Sequence, residues 1–413
     1  MLYVFSRPRR YGFVLGKATL LFVLLTVVKY YISMHNENSL NPSRLFADNE
    51  IEAKAGGYDE RDMLARDARD DVDAAYQRQR LELLASLNTK LMNIVSRFVS
   101  GDVREVIIPD LPDYCNKGDS ALAMGELNVL AQIGATISYA LRFNLHEDVY
   151  VRIKNEMNIT SPSQIAILAQ GGGNIGLYGM LDKAREIAFN AFSNSTLAVM
   201  SQSVYIPDEH AAELARQRYG HFKHLSFMLR DEASYINVSN YLPQVTPILA
   251  PDMAFGLGHI DQFFPPSLDI IWIHRQDKEQ TSSFINPQFP PHVSFYVTDW
   301  KKDFQAPKFK PQHVAEKILL RTTTGYMFLQ RGKVLVTDRL HGHIVALLLN
   351  IPTVIIDNKI HKLTHFRETW TAELNEYIMV AENVTDAAHK ALVLLEKVNN
   401  KRNPVKRAPG FRN

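Results

Sequence analysis

One stretch of the sequence places an arginine and a histidine directly after an apolar run. It reads Val334-Leu-Val-Thr337 and continues as Asp338-Arg339-Leu-His341-Gly342. A guanidinium and an imidazole at the start of a helix suit a carboxylate or phosphate, because a helix N-terminus carries about half a positive charge. Arg230 likewise follows an apolar run. These residues predict an anion site, and the alternatives are capping of neighbouring elements or a surface ion pair of Arg230.

Further polar residues and glycines follow other apolar runs. Amides, hydroxyls and glycine backbone suit sugar or phosphate oxygens, and a carboxylate suits the proton of a sugar hydroxyl. We therefore predict Asp119 and Asp252 as catalytic residues beside Arg230, Arg339 and His341, with helix capping as the alternative. The predicted substrate-binding residues are Asn116, Gly118, Gly172, Gly173, Asn174, Gln202, Ser203, Ser234, Arg275 and Gly342. The glycine spacing differs from the dinucleotide-binding motif, which disfavours a nicotinamide enzyme.

Short apolar runs alternate with helical stretches from residue 103 onward. This alternation predicts an α/β protein with largely parallel sheets covered by helices. The predicted strands are Val106–Pro109, Val149–Ile153, Ile165–Ala169, Leu197–Met200, His224–Leu229, Thr246–Leu249, Asp269–Ile273, Val293–Val297, Val334–Thr337, Thr353–Ile356 and Tyr377–Val380. The predicted helices are Ser120–Ile133, Met180–Phe192, Glu209–Tyr219, Pro311–Gln330, Gly342–Leu349 and Thr385–Val398.

The strands fall into two series, which predicts two Rossmann-like domains facing a cleft. A linker rich in Gly and Pro separates the series, so we place the domains at residues 101–258 and 259–398, followed by a basic tail at 399–413. Ligands of parallel α/β sheets bind beyond the carboxyl ends of the strands. The polar residues above follow predicted strands and are therefore expected to line this cleft.

The N-terminal region predicts a membrane anchor and a stem. Residues 1–10 carry three arginines and no acid, and residues 11–34 form a mostly apolar segment long enough to span a bilayer. The positive charge in front of the segment predicts a cytosolic tail and a luminal remainder, and the short span favours the Golgi membrane. A cleaved signal peptide or a buried helix is the alternative. Residues 35–100 predict a helical stem, because leucines recur at helical spacing. Its one or two amphipathic helices are expected to hold the catalytic part away from the bilayer or to pair with a partner.

Glycosylation sequons agree with luminal exposure. They begin at Asn158, Asn194, Asn237 and Asn383. The formal net charge is only +2, from 46 Lys and Arg against 44 Asp and Glu, so nucleic acid is not an expected partner. The single cysteine, Cys115, excludes a disulfide within the chain and a multi-cysteine zinc site. No metal ligand cluster is predicted.

Seven motifs in this order resemble the polysaccharide pyruvyltransferase family. They are Asn116-x-Gly118-Asp119, Gly171-Gly-Gly-Asn174, Gln202-Ser203, Arg230-Asp231-x-x-Ser234, Pro251-Asp252-x-Ala-Phe255, Arg275-x-Asp277-x-Glu279 and Asp338-Arg339-Leu-His341-Gly342. The resemblance implies two domains arranged as in GT-B glycosyltransferases. It also implies phosphoenolpyruvate as donor, held by Arg230, Arg339 and His341, and a glycan acceptor that receives a pyruvate ketal. The N-terminus is similar to that of fungal members that pyruvylate galactose on Golgi glycans.

This chemistry needs one acid and one base. An acid protonates the methylene carbon of phosphoenolpyruvate, sugar hydroxyls attack the neighbouring carbon, and phosphate leaves. His341 is the first choice for the acid and Asp119 or Asp252 for the base, although the sequence does not assign these roles. Phosphoenolpyruvate is a co-substrate, and no cofactor or metal is required. The alternatives are a GT-B glycosyltransferase using a nucleotide sugar and a non-catalytic luminal glycan-binding protein. The sequence does not predict the oligomeric state.

Overall fold

The computed structural model describes residues 60–157, 161–176, 179–277, 279–280, 285–301 and 314–402. The predicted cytosolic tail, the anchor, the first part of the stem, most of the basic tail and the sequon at Asn158 lie outside the described residues. Within the described part of the chain, no helix has both the length and the apolar character needed to cross a membrane.

The first half of the fold is a seven-stranded parallel sheet. Its strand order is β2-β1-β3-β5-β6-β7, and the short strand β4 also pairs with β5. The strands are β1 (Glu105–Leu111), β2 (Ile137–Arg142), β3 (Ile165–Ala169), β4 (Gly172–Ile175), β5 (Thr196–Val204), β6 (Leu225–Leu229) and β7 (Thr246–Leu249). The helices up to this point are α1 (Glu60–Val95), α2 (Lys117–Gln132), α3 (Glu147–Glu156), α4 (Gly179–Ala191), α5 (Glu209–Tyr219) and α6 (Glu232–Tyr241). Short 3₁₀ turns occur at Ser96–Phe98, Pro162–Gln164 and Met253–Leu257.

The second half is a five-stranded parallel sheet with the order β12-β11-β10-β8-β9. Its strands are β8 (Leu268–Ile273), β9 (Phe295–Thr298), β10 (Gly332–Thr337), β11 (Thr353–Ile356) and β12 (Ile378–Ala381). Its helices are α7 (Val314–Leu329), α8 (Leu340–Leu348), α9 (Lys362–Trp370) and α10 (Val384–Arg402). The prediction of an α/β protein with two parallel sheets is confirmed.

Both faces of the first sheet are buried, as the continuous apolar runs of its strands require. In β1, Val106 and Ile108 pack into one hydrophobic cluster, and Ile107 between them packs into another. Successive side chains of a strand point to opposite faces, so helices must cover both sides of such a sheet. The first of these clusters also contains Trp272 and Val336 of the second sheet. One core is therefore shared by the two halves.

Helix α1 belongs to this shared core, which differs from the expected spacer between membrane and catalytic part. Leu84, Leu87 and Leu91 are buried against residues of both halves. The guanidinium of Arg80 donates to the carbonyl oxygen of Leu347 at 2.9 Å. Leu347 is at the C-terminal end of α8, so Arg80 connects α1 to that helix. The leucine repeat therefore indicated a buried helix face, and the face is covered by the rest of the chain itself.

One predicted strand is wrong. Residues 149–153 lie in helix α3 and not in a strand. The β-branched and aromatic residues there are typical of strands, but Val149, Tyr150 and Ile153 share one buried helix face. Acidic residues in the first turn and Lys154 in the last turn match the helix dipole. Strands β2 and β4 were not predicted.

The packing of α1 gives a stability prediction. Replacement of the fully buried Leu91 by alanine should lower the free energy of unfolding by about 2–5 kcal/mol, because it leaves a cavity in the shared core. The matched control is Leu81→Ala on the same helix, where the side chain is 43% exposed and the expected change is below about 0.5 kcal/mol. Urea unfolding of both variants measures the difference. Equal costs for the two variants would mean that α1 does not pack as described.

Candidate active site

A cavity of about 500 Å³ opens between the two halves, at the carboxyl ends of both sheets. Parallel strands of both halves end at this cavity, which is where ligands bind in α/β folds. The predicted site residues that line it are Asn116, Asp119, Gly173, Arg230, Arg275, Arg339 and His341. The two arginines expected to share one ligand, Arg230 and Arg339, therefore face the same space although they come from different halves.

Arg230 is fixed by its own half of the molecule. It directly follows β6, is only 2% exposed, and its Nη1 lies 2.7 Å from Asp252 Oδ2. Its Nε donates to Ser203 Oγ at 2.9 Å, and that hydroxyl in turn donates to Asp231 Oδ2. Two of the three guanidinium nitrogens are thus held by protein groups, so the plane of the guanidinium is set before any ligand binds.

His341 meets this pair from the other half. Its Nε2 lies 3.3 Å from Asp252 Oδ2, and its Nδ1 lies 3.7 Å from Asp119 Oδ1. Helix α8 has Arg339 as its N-cap residue, without a side-chain cap, so His341 sits in the first turn at the positive end of the helix. The imidazole therefore lies between two carboxylates and beside Arg230.

Asp252 and Asp119 have different environments. Burial alone would raise the carboxyl pKa of Asp252, but the neighbouring His341 and Arg230 hold it well below its usual range. Asp252 is fully buried and does not line the cavity, whereas Asp119 does. Asn116 caps α2 and donates from Nδ2 to Asp119 Oδ2 at 2.8 Å. Asp119 is thus the better-placed of the two aspartates to receive a proton from a molecule in the cavity.

Arg339 and Arg275 belong to a network of ion pairs at the end of the second sheet. Arg339 Nη2 lies 2.7 Å from Asp299 Oδ1 and 3.3 Å from Asp277 Oδ2. Arg275 pairs with Asp277 at 2.7 Å and with Glu279 at 3.0 Å. Although partial burial would raise the pKa of Asp277, hydrogen bonds from Arg275 and Lys301 and the charge of Arg339 hold it far below its usual range. The network fixes the positions of both guanidinium groups.

Lys362 is a site residue that sequence reasoning missed. It begins helix α9, is 8% exposed, and its Nζ lies 3.0 Å from Glu279 Oε2. The same Nζ donates to the carbonyl oxygen of Gly173 in the opposite half at 3.2 Å. Burial lowers its pKa to about 8. The available signal was a lysine soon after β11, because ligands of parallel α/β sheets bind beyond the carboxyl ends of strands.

Two of the predicted glycines act by close packing. A Cβ on Gly118 would lie 2.6 Å from the Cβ of His341, so only glycine allows α2 to approach that residue. A Cβ on Gly342 would lie 2.6 Å from Thr337 Oγ1. Neither residue lines the cavity. Both therefore position α8 and its histidine, and substrate contact is left to their neighbours.

Other predicted residues hold the backbone around the cavity in place. The hydroxyl of Ser234 accepts from the amide of Val204 at 2.9 Å, and Gln202 Nε2 donates to the carbonyl of Gln170 at 2.9 Å. Gly172 has a φ of 134°, a conformation that side chains disfavour. Ser234, Gln202 and Gly172 do not line the cavity. Asn174 lies in β4 next to them.

Less polar side chains also line the cavity. They are Tyr114, Phe143, Met180, Leu181 and Trp300. Tyr114 is 38% exposed and lies in the connection between β1 and α2, and Asp119 lies in the first turn of α2. We call Arg230, Arg275, Arg339 and Lys362 the cationic wall and Tyr114, Phe143 and Trp300 the aromatic wall. His341 and Asp119 line the same cavity.

Two further predictions concern metal ions and glycosylation. Among the residues that the structure describes, no group of three or more His, Cys, Asp and Glu side chains is arranged to hold a metal ion. Asn194 and Asn383 are exposed, whereas Asn237 is partly buried and its amide donates to the carbonyl of Val204. Glycosylation of these positions stays a prediction.

Fold and site together define an α/β protein with a ligand cavity between two parallel sheets, lined by fixed arginines, a lysine and a histidine. The profile of the family "polysaccharide pyruvyl transferase" matches residues 116–318 and 326–360, which is more than half of the chain. The chain therefore belongs to the polysaccharide pyruvyl transferase family and is a transferase. The matched segments contain every predicted catalytic and substrate-binding residue, from Asn116 to Gly342.

Individual proteins are similar over most of their length. Pyruvyl transferase 1 of Schizosaccharomyces pombe is 25% identical over 333 residues, which cover 77% of this chain and 82% of that protein. EpsO of Bacillus subtilis, provisionally named a pyruvyl transferase, is 25% identical over 309 residues, which cover 70% of this chain and 91% of EpsO. A crystal structure of an uncharacterized Klebsiella pneumoniae protein covers 72% of this chain and 99% of its own, with a TM-score of 0.48 and 16% identity.

The buried histidine His343 leads to a prediction about how the stability of the protein depends on pH. His343 is fully buried, and burial, followed by the charge of Arg367, lowers its pKa to about 3. The unfolded chain binds this proton near pH 6.5, so stability should fall as the pH drops below that value, by about 2 kcal/mol between pH 7 and pH 5.

Urea unfolding at both pH values tests this contribution. His343→Gln should lose about 2 kcal/mol of the pH dependence, whereas the exposed control His389→Gln should keep it. An unchanged pH dependence in His343→Gln would show that the buried imidazole is not the source.

Proposed function

We propose that the protein transfers pyruvate from phosphoenolpyruvate to two hydroxyls of a glycan sugar, forming a ketal and releasing phosphate. The proposal depends on the observation that Arg230, Arg339 and His341 line one cavity. Phosphoenolpyruvate has a carboxylate and a phosphate on adjacent positions of a small molecule, and fixed guanidinium groups on two sides of a cavity match such a ligand. Family membership supports pyruvate as the transferred group.

Arg339 and Arg230 of the cationic wall orient the donor in this proposal. We place its phosphate at Arg339 and the N-terminus of α8, because backbone N–H groups and the helix dipole favour phosphate there. We place its carboxylate towards Arg230. Both arginines are already held by carboxylates or hydroxyls of the protein, so little reorganisation accompanies binding.

The reaction then follows from three residues. His341 delivers a proton to the methylene carbon, and the positive charge that develops on the neighbouring carbon is attacked by a sugar hydroxyl, whose proton passes to Asp119. A second hydroxyl attacks the same carbon as the carbon–oxygen bond to phosphate breaks. The proton of the second hydroxyl passes to His341, and Asp119 gives its proton to the leaving phosphate. Asp252 stays ionised and orients His341 through Nε2. No cofactor takes part in this scheme.

We assign the acceptor to the aromatic wall. A pyranose ring has apolar faces that stack on aromatic side chains, and Tyr114 is partly exposed at the cavity. Stacking there would bring sugar hydroxyls to Asp119, which lies in the first turn of the helix that follows Tyr114. A terminal galactose is our proposed acceptor, on the basis of the N-terminal resemblance to fungal members.

We also propose the cellular setting and the domain arrangement. The pattern of residues 1–34 supports a single-pass anchor in the Golgi membrane with the catalytic part in the lumen. Exposure of the sequon residues Asn194 and Asn383 is compatible with this location. The cleft between the two sheets supports a GT-B-like arrangement.

The activity test uses purified protein, phosphoenolpyruvate and a β-galactoside, with phosphate release as the signal. His341→Ala should lower the rate by about 10²–10⁴, because it removes the proposed acid. His389→Ala, an exposed histidine on α10, should keep the wild-type rate. Full activity of His341→Ala would refute the assignment, and stabilisation of the wild type by nucleotide sugars alone would favour a glycosyltransferase.

The acceptor assignment has its own test. Tyr114→Ala should raise the acceptor KM by about 2- to 10-fold with little change in the KM for phosphoenolpyruvate, because one stacking contact is lost. Tyr235→Ala is the matched control, since Tyr235 is 37% exposed against 38% for Tyr114 and does not line the cavity. An unchanged acceptor KM in Tyr114→Ala would place the sugar elsewhere.

A further inference from the structure

Lys362 joins the two halves at the cationic wall. Its side chain starts from α9 in the second half and reaches the carbonyl oxygen of Gly173 in the first. It lies just beyond the segment 326–360 that matches the family. An ammonium has three N–H donors, and the contacts with Glu279 and Gly173 account for two of them. The lysine nevertheless lines the cavity.

Arg230 directs its Nη2 to the same place. The point where a Cβ of residue 173 would lie is 3.0 Å from Arg230 Nη2 and 2.5 Å from Lys362 Nζ. The glycine therefore allows both cations to approach the same side of residue 173. Like charges in a space shielded from water repel each other strongly, and Arg230 is one reason why the proton of Lys362 is held less tightly. An anion in this space would offset the repulsion.

We propose that Lys362 and Arg230 together bind the carboxylate of the donor, next to Gly173, while Arg339 and the N-terminus of α8 bind its phosphate. This inference rests on the proposed function. Glu279 and the Gly173 carbonyl hold the ammonium in place before the donor arrives. A donor that lacks the carboxylate gains no contact with Arg230 and Lys362 beyond those the protein already supplies, so this corner of the cavity selects carboxylated phosphate esters.

Calorimetric titration of the full-length chain tests the assignment, with phosphoenolpyruvate and methyl phosphate as probes. Lys362→Met should bind phosphoenolpyruvate about 10- to 100-fold more weakly, which corresponds to one charge-assisted hydrogen bond. Methyl phosphate has no carboxylate and should bind within about twofold of wild type in this variant. Glu279 keeps its pair with Arg275 at 3.0 Å, so the substitution leaves no isolated buried carboxylate. Lys359→Met, at an exposed lysine three residues earlier, is the matched control and should bind both probes as wild type does.

Gly173→Ala is a second variant that keeps every charge. Its methyl group would displace the ammonium of Lys362 from its position beside Arg230, so this variant should also bind phosphoenolpyruvate more weakly and keep its affinity for methyl phosphate. The lysine end is flexible and can yield, which lets the fold tolerate the methyl group. Equal loss of both probes in Lys362→Met, or no loss, would overturn the inference while the proposed function stands. Failure of the wild type to bind phosphoenolpyruvate would overturn the proposed function itself.

Discussion

The buried ion pair of Arg230 and Asp252 is the interaction on which the site depends. Both side chains are almost inaccessible to water, and removing two charges from water costs more than a single contact returns unless further hydrogen bonds are made. Ser203, the amide of Ala254 and His341 supply those bonds. The pair is therefore stable only when strands of the first sheet and helix α8 of the second half are assembled around it.

Contacts between the halves make this assembly rigid. The indole of Trp370 in α9 donates to the carbonyl of Arg230 at 2.8 Å, and Lys117 in α2 donates to the carbonyl of Trp300 at 2.5 Å. The buried leucines of α1 extend the same core across both halves. A cavity with fixed walls can hold charged groups where charge develops during a reaction, without paying for reorganisation at each turnover.

Much of the fold and part of the cavity could be predicted from the sequence, because they depend on the local pattern of apolar and polar residues. The apolar runs around Ile165–Ala169 and Thr246–Leu249 predicted strands with the observed bounds, and polar residues after strands predicted one side of the cavity. The roles of Gly118 and Gly342 could not be predicted, because close approach to His341 and Thr337 is a property of packing between distant segments. Lys362 was missed for the same reason: its partners, Glu279 and Gly173, are far from it in sequence.

The balance of charge around the cavity explains how such a site discriminates. Arg275 and Arg339 are largely neutralised by Asp277, Glu279 and Asp299, so the cavity has no large positive field that would attract any anion from a distance. Attraction therefore acts at short range, through N–H groups whose directions are fixed by their carboxylate partners. A ligand gains binding energy only when the distance between its two acidic groups matches the distance from Arg230 and Lys362 to Arg339. Neutralised arginines in this arrangement favour geometric recognition of a small dianion over unspecific binding of phosphates.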